Sequence, residues 1–400
     1  MVFNLFSKEK FFISLDIGTE TIKAVFFKKD AQSFYILKSY IDYFQQPIIL
    51  NESFFNQEMI RKMIFKMLNS FKNDLLLSTN DRKLIERQKK WDVIVSISPD
   101  KFKARVVNGL FIRENYNRKI SKEEEKIIFE EVIEKAKKKI TNHFAKQFKV
   151  FPIDVYINSV RILEMKIDGY EVFSLVGYKG KLISFNILIS FMLRYYLDGL
   201  LNVLNDLNLN FLKLVHLAEN FSLLYNNKKD DYLLIDVGGK VTQFVLVKKE
   251  KIFQIDEFER GGYNFSKILS DSFGIREETA RILKEEYSRK FFSFQTEKRI
   301  EKLFEKEKEK WFLSLKESLA KMNRGILYFS NIYFLGGGSL LPDINKWLDT
   351  SMNSNIEELI IFEKAKIDFF SFDFKNIRNI NNDIKNPQMV LPLINIIGNF

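Results

Sequence analysis

Apolar positions in this 400-residue chain fall into two textures, short continuous runs and runs at three- and four-residue steps. Residues 11–28 read as two buried strands folded about Asp16-Ile17-Gly18-Thr19, with a further strand near 33–40. Met59, Ile60, Met63, Ile64 and Met67 predict a helix over 56–71, and the polar stretch 75–90 reads as a linker. Strands are predicted at 93–97 and 102–107. A long helix follows, with Ser121 and Glu124 as a capping box. Early acids (Glu123, Glu124, Glu125) and later Lys137, Lys138 and Lys139 complement its dipole. Segments 155–166 and 170–175 flank Asp168-Gly169, a two-residue hairpin signal. Residues 182–190 read as a return to the main sheet, 195–207 as an amphipathic helix and 251–258 as a strand. Ile300, Phe304, Trp311, Leu315, Leu319 and Met322 form a helical stripe whose spacing predicts core packing.

Three of the buried runs end in glycine turns. The first is the Asp16 hairpin. The second repeats its design over 232–244: an apolar strand, Asp236, a Gly238-Gly239 turn, then another strand. In the third, Ile332-Tyr333-Phe334-Leu335 runs into Gly336-Gly337-Gly338-Ser339. Glycine lets the backbone turn sharply and brings N–H groups close to an anion. An Asp beside such a turn is placed to hold a metal ion or a water against phosphates. The two Asp hairpins therefore read as facing phosphate clamps of two related lobes. A fourth glycine pair, Gly261-Gly262, opens a predicted helix, a position that suits an anion or close packing against ribose and phosphate.

The order of these turns resembles the actin/Hsp70/sugar-kinase ATPase superfamily, and within it the bacterial cell-division protein FtsA, with the pilus-assembly protein PilM as a near relative. The resemblance implies an α/β, two-lobed actin-like ATPase (ribonuclease H-like) fold. It also implies an inserted strand–helix–strand–strand subdomain, called 1C or SHS2, which serves as an interaction module. The implied division is lobe I at 1–90, the insertion at 91–178, lobe I again at 179–228, lobe II at 229–263, its cap at 264–328, lobe II with the adenosine motif at 329–365, and a return to lobe I at 366–400. The insertion is expected to be separable, its deletion leaving nucleotide binding intact.

The same resemblance assigns Asp16, Gly18 and Thr19 to phosphate 1, with Lys23 on the same hairpin. It assigns Asp236, Gly238, Gly239, Lys240 and Thr242 to phosphate 2. Gly336, Gly337, Gly338 and Ser339 would floor the adenine, Gly261 and Gly262 border the ribose, and Lys284 match the lysine of the Ala-Glu-x-x-Lys helix. The implied cofactors are ATP and Mg2+, with Asp16 and Asp236 as the catalytic and metal-holding acids. Three departures from the family put hydrolysis in doubt: Lys240 where FtsA has glycine, Gln243 where it has an acid, and Arg281 in place of a nucleoside-facing Glu. Glu219 lies near the place from which related actins present a water-activating side chain. For Lys240 two readings stand, an ammonium on a phosphate or a side chain in solvent.

The implied role is nucleotide-gated self-assembly in cell division, linking a tubulin-like division GTPase to the membrane. The alternative is a PilM-like cytoplasmic scaffold that grips the tail of a membrane pilus protein. A small-molecule kinase of the same fold would need a substrate-binding base, and no residue presents itself for that role. Composition narrows the rest. There is no cysteine, which excludes disulfides and thiolate chemistry and fits a reducing cytoplasm. His143 and His216 both read as structural. The net charge of +11 suits an anionic partner, yet the lysines are scattered among acids and no nucleic-acid motif is present, so no nucleic acid is expected. Lys8, Glu9 and Lys10 interrupt the opening apolar stretch, so no secretory signal is read, and no run reaches the roughly 20 apolar residues of a membrane span. A cytoplasmic protein is expected, in peripheral contact with the membrane at most. Val2, Phe3, Leu5 and Phe6 with Lys8 and Lys10 resemble a short surface-seeking segment, and an ordinary terminus fits them as well.

Overall fold

In the computed structural model, β1 (Lys10–Ile17) and β2 (Thr21–Lys29) form the expected antiparallel hairpin, and β3 (Phe34–Tyr43) extends it. The structure describes residues 10–29, 33–44, 56–74, 79–88, 90–224, 231–322, 327–328, 331–342, 344, 360–361, 366–369, 377–378 and 386–397. The surface-seeking segment at Val2–Phe6 lies outside them. Helix α1 (Gln57–Lys72) starts at Asn56, whose side chain accepts from the Met59 N–H. Its apolar stripe packs through Phe71, stacked on Phe26 at 4.2 Å with Trp91 edge-on to both. Such aromatic pairs add about 0.5–1.5 kcal/mol each beyond their area. The predicted linker contains a second helix, α2 (Thr79–Arg87), held to β2 by Asp81 on Lys28 at 2.9 Å.

Next come β4 (Trp91–Ile97), β5 (Phe102–Ile112), α3 (Lys122–Phe148), β6 (Val155–Ile167), β7 (Tyr170–Glu171), β8 (Leu182–Leu193), α4 (Arg194–Asp206), β9 (Leu209–Leu214) and α5 (Leu217–Leu224). Ser121 caps α3 by accepting from the Glu124 N–H at 3.2 Å. Asp168 and Gly169 turn the β6–β7 hairpin with φ of 48° and 88°, the left-handed pair a two-residue turn requires. The second half holds β10 (Tyr232–Val237), β11 (Thr242–Lys248), β12 (Lys251–Phe258), α6 (Gly262–Phe273), α7 (Glu277–Ser288) and α8 (Phe294–Met322). It continues with β13 (Leu327–Tyr328), β14 (Asn331–Leu335), β15 (Ile360–Ile361), β16 (Lys366–Phe369), β17 (Ile377–Arg378) and a final helix, α9 (Val390–Ile397). The α8 stripe is core as its spacing predicts, with Ile300, Phe304, Trp311, Leu315 and Leu319 buried.

Two sheets share one design. The first has the order β17-β3-β2-β1-β4-β9 and the second β12-β11-β10-β14-β16. In each, a three-stranded antiparallel meander precedes two strands that run parallel to its first strand. A separate four-stranded sheet, β5-β8-β6-β7, carries α3 on one face.

Several expected boundaries move. Every residue of β4 is buried between β1 and β9, as a central parallel strand requires, so it belongs to the first sheet and not to an insertion starting at 91. The four-stranded unit begins at β5 and closes only with β8, which pairs with β5 and β6 instead of returning to the main sheet. β16, read as part of the return to lobe I, pairs with β14 in the second sheet. The return begins at β17, and α9 packs across β1, β2 and β4.

The four-stranded unit is also not separable. Ala104 and Leu188 share a buried cluster with Tyr232, Val245, Val247, Ile252 and Ile255 of the second sheet. Lys251, beside the β11–β12 turn, reaches Glu164 at 3.1 Å and also pairs with Glu171. Deleting the unit would bare this apolar face to water, so the expected clean deletion does not follow.

Candidate functional site

The first strand of each sheet, and its parallel neighbour, end on one side. β1 ends beside Asp16, β4 at Ser96-Ile97, β10 at Asp236 and β14 at Leu335. These ends line a cleft of about 430 Å³ between the two sheets. In open parallel sheets, the crevice outside the C-terminal strand ends is where ligands bind.

Both carboxylate oxygens of Asp16 accept a hydrogen bond. Lys23, its register partner on β2, donates from Nζ to Oδ2 at 2.7 Å, and Ser96 Oγ donates to Oδ1 at 2.9 Å. Asn395 on α9 donates to Ser96 Oγ at 3.0 Å, so the final helix braces this strand end. Asp236 is the contrasting case. Its carboxyl makes no hydrogen bond or ion pair among the described residues. Burial pushes it up to about 7; Lys23 opposes that shift and Asp16 adds to it, so the three groups share one electrostatic neighbourhood. The residue as a whole is half-buried, with its carboxyl lodged under Gly336. At Gly336 φ is 84°, and a Cβ there would overlap Asp236 Oδ1 and lie 2.6 Å from Val237 O. Only glycine allows the third turn to close on the second acid.

The two hairpin turns touch. The Lys240 N–H donates to Thr19 Oγ1 at 2.9 Å, and Glu20 lies 3.7 Å from Lys284 Nζ. Further out, the Arg281 guanidinium sits 3.9 Å over the Tyr43 ring. Lys284 Nζ also donates to Gly262 O at 2.8 Å.

Of the residues assigned to the nucleotide from sequence, Asp16, Gly18, Thr19, Lys23, Asp236, Gly238, Gly239, Lys284, Gly336, Gly337 and Gly338 line this one cleft. Five assigned residues do not. Gly261 and Gly262 pack on the second turn: the Gly262 and Tyr263 N–H groups donate to Gly238 O and Gly239 O at 2.9 and 2.8 Å. The opening N–H groups of α6 are thus spent on protein carbonyls rather than offered to an anion, and a Cβ on Gly261 would lie 2.5 Å from both carbonyls. Thr242 is buried, donating to Arg260 O at 2.7 Å and accepting from Trp311 Nε1 at 2.9 Å. Ser339 Oγ closes its own turn on Gly336 O at 2.6 Å. Lys240 contributes its main chain to the contact between turns; its side chain lies outside the cleft lining, which favours the solvent-facing reading.

Glu219 also lies outside the lining. Its Oε1 accepts from Ser159 Oγ of the four-stranded unit at 2.6 Å. Conversely, the cleft contains residues the sequence reading passed over. Ser96 follows an ordinary apolar strand, and only its place beside β1 reveals its role. His216, read as structural, lines the cleft with Gln243, their side-chain nitrogens 2.9 Å apart.

No family model matches the chain, and no curated protein matches it. Solved structures do. The chain is similar to one in the PilM-PilN type IV pilus biogenesis complex, with 17% identity and a TM-score of 0.64, covering 96% of this chain and 97% of that one. The ethanolamine utilization protein EutJ from Carboxydothermus hydrogenoformans follows at 12% identity and TM-score 0.48, covering 97% and 89%. MreB 5 of Spiroplasma citri bound to AMPPNP stands at 11% and 0.40, covering 90% and 91%. Two sheets of repeated design, their paired Asp hairpins and the end-to-end likeness to the pilus protein lead to one structural conclusion: the chain has the actin-like ATPase fold.

Proposed function

We propose that the cleft binds ATP with a magnesium ion, and that the chain is a nucleotide-binding scaffold of pilus-assembly type. The observation that carries the nucleotide reading is the convergence of Asp16, Asp236 and the Gly336–Gly338 turn on one cleft. Magnesium keeps several waters and takes one or two carboxylates plus substrate phosphates. Asp16 and Asp236 offer that donor set, and the Asp236 carboxyl, without a hydrogen-bond partner among the described residues, is an acceptor that such an ion would fill. When bound, the ion neutralises phosphate charge. Gly18 and Gly238-Gly239 let the backbone approach the phosphates, Lys23 adds a cation beside Asp16, and Lys284 stands on the opposite wall.

Turnover is expected to be slow, below the roughly 1 s⁻¹ at the low end of ordinary enzymes. Glu219 is committed to Ser159, and an amide, Gln243, stands where FtsA has an acid, so the cleft presents no general base on that side. Lys240→Gly is expected to leave ATP affinity unchanged at low magnesium. Calorimetry that found weaker binding would restore the phosphate-contact reading.

For the cellular role, likeness over the whole chain to a protein of a pilus complex supports the scaffold reading, and no structural observation favours division. The four-stranded unit, the counterpart expected for the 1C/SHS2 subdomain, would carry partner contacts. The test is to titrate the purified chain with the cytoplasmic tail of the membrane pilus protein of the same organism, and separately with its tubulin-like division GTPase. Binding of the tail alone is expected. Binding of the GTPase alone would move the chain to cell division, with self-assembly at the membrane as its expected behaviour. No described helix is long and apolar enough to cross a membrane, so the proposed location is the cytoplasm, with membrane contact through the partner.

A further inference from the structure

A row of side chains crosses the second sheet from the cleft to the four-stranded unit. Asp236, Gln243 and Glu257 are successive register partners on β10, β11 and β12, and directly opposed residues project to one face. Gln243 is 1% exposed and lines the cleft. Its amide meets His216 Nε2, while the Ala218 N–H donates to His216 Nδ1 at 3.2 Å. A neutral imidazole that accepts at Nδ1 carries its proton on Nε2. Burial holds the imidazole at about 3, so the ring is neutral. Nε2–H therefore donates to the amide, which assigns the amide oxygen to the His216 side and leaves its N–H groups for the cleft.

The far end of the row is just as tightly held. Phe102, the first residue of β5, is fully buried and edge-on to the His216 ring at 5.3 Å. Glu257 accepts from Lys103 at 2.5 Å and from both Arg105 terminal nitrogens at 2.7 and 2.8 Å. His216 and Glu257, two of the residues beside Gln243, thus both meet β5.

We propose that Gln243 donates to the terminal phosphate of a nucleoside triphosphate, and that this contact, through His216, Phe102 and Glu257, sets the position of β5 and the four-stranded unit. This rests on the nucleotide-binding reading above and adds to it a sensor for the third phosphate. A diphosphate leaves the buried amide donors without an acceptor, and turning the amide to find one breaks its bond to His216. An uncharged donor binds the phosphate without activating water, in keeping with a cleft that holds ATP more than it consumes it. Gln243, His216 and Phe102 are each buried and in direct contact, so a shift of the Gln243 amide bears on the His216 ring and through it on β5.

Hydrogen exchange on the full chain with Mg·AMPPNP or Mg·ADP, paired with calorimetry, tests this. In the wild type, AMPPNP is expected to protect Phe102–Ile112 more than ADP does. Gln243→Leu should erase that difference and lower the preference for AMPPNP over ADP about tenfold, the worth of one hydrogen bond to a charged group. Gln243→Met, of similar length and without donors, gives the same reading if the leucine variant does not fold. Phe102→Leu should keep the affinity preference and lose the protection difference. Equal protection of β5 by both nucleotides, or a Gln243 variant that keeps the wild-type preference, overturns the sensor while leaving nucleotide binding intact. Failure of the wild type to bind either nucleotide overturns both.

Discussion

Asp236→Asn is expected to remove magnesium-dependent ATP binding and, in the same molecule, to stabilise the ligand-free fold at pH 8. The two effects share one cause. Burial has pushed the Asp236 carboxyl from its ordinary value of 3.8 up to about 7, and no hydrogen bond from the described residues offsets the cost of its charge. A carboxyl raised on folding holds its proton where the unfolded chain has lost it. Its unfavourable contribution therefore grows as pH rises from near 4 through 7 and is complete by pH 8. Removing the charge should recover on the order of 1 kcal/mol, short of the fully buried limit because the residue still meets cleft solvent. At pH 5 the gain should fall to less than half of its pH 8 value. Asp16→Asn should instead destabilise, since the amide keeps one acceptor oxygen where Lys23 and Ser96 use two, and it loses the charge that pairs with Lys23. Thermal melts of both variants at pH 5 and 8 check this. An Asp236→Asn protein that melts lower than wild type at pH 8 would contradict it.

Glu257→Gln carries the largest expected loss of stability. Burial alone would raise the Glu257 carboxyl, but Arg105 and Lys103 outweigh it and hold it at about 2. The side chains of Glu257, Lys103 and Arg105 are 8%, 11% and 21% exposed, so neutralising the acid leaves two cations in a site water barely reaches. Breaking a buried pair from one side costs about 3–5 kcal/mol. Asp256, 3.1 Å from Arg105, offsets part of that. The wild-type pair contributes fully above the ordinary carboxyl range near 4.5, and its contribution is lost as pH falls through about 2. Replacing Lys103, Arg105 and Glu257 together by methionine should recover much of the loss, because the one charge left without its partner is Asp256, whose side chain is 30% exposed. Urea denaturation of the single and triple variants measures both. A single-variant loss below about 1 kcal/mol would show the cluster to be a solvated surface pair.

Much of the fold was legible because its signals are local. The two Asp-Gly hairpins, the α1 helix, the Ser121 cap, the Asp168-Gly169 turn and the α8 stripe each depend on neighbouring residues alone, and each stands where its pattern predicts. Strand membership was not legible. A continuous apolar run such as β4 or β8 looks the same in sequence whichever sheet it joins, and only pairing decides. The site divides the same way. Glycines and acids at strand ends were readable as cleft residues, while Thr242, Ser339, Gly261 and Gly262 sit in the right motifs but spend their polar groups, or their lack of a side chain, on holding the turns. Gln243 and His216 are 27 residues apart, and nothing local announces their meeting.

The two Asp hairpins are expected to form one nucleotide site. The most direct measurement is a calorimetric titration of the full chain with ATP, with and without magnesium, repeated on the Asp16→Ala/Asp236→Ala double variant with its fold checked by circular dichroism. The account predicts saturable one-to-one binding that requires magnesium and is lost in the folded double variant. A wild-type chain that binds no ATP, or a folded double variant that binds it with unchanged affinity, would contradict it.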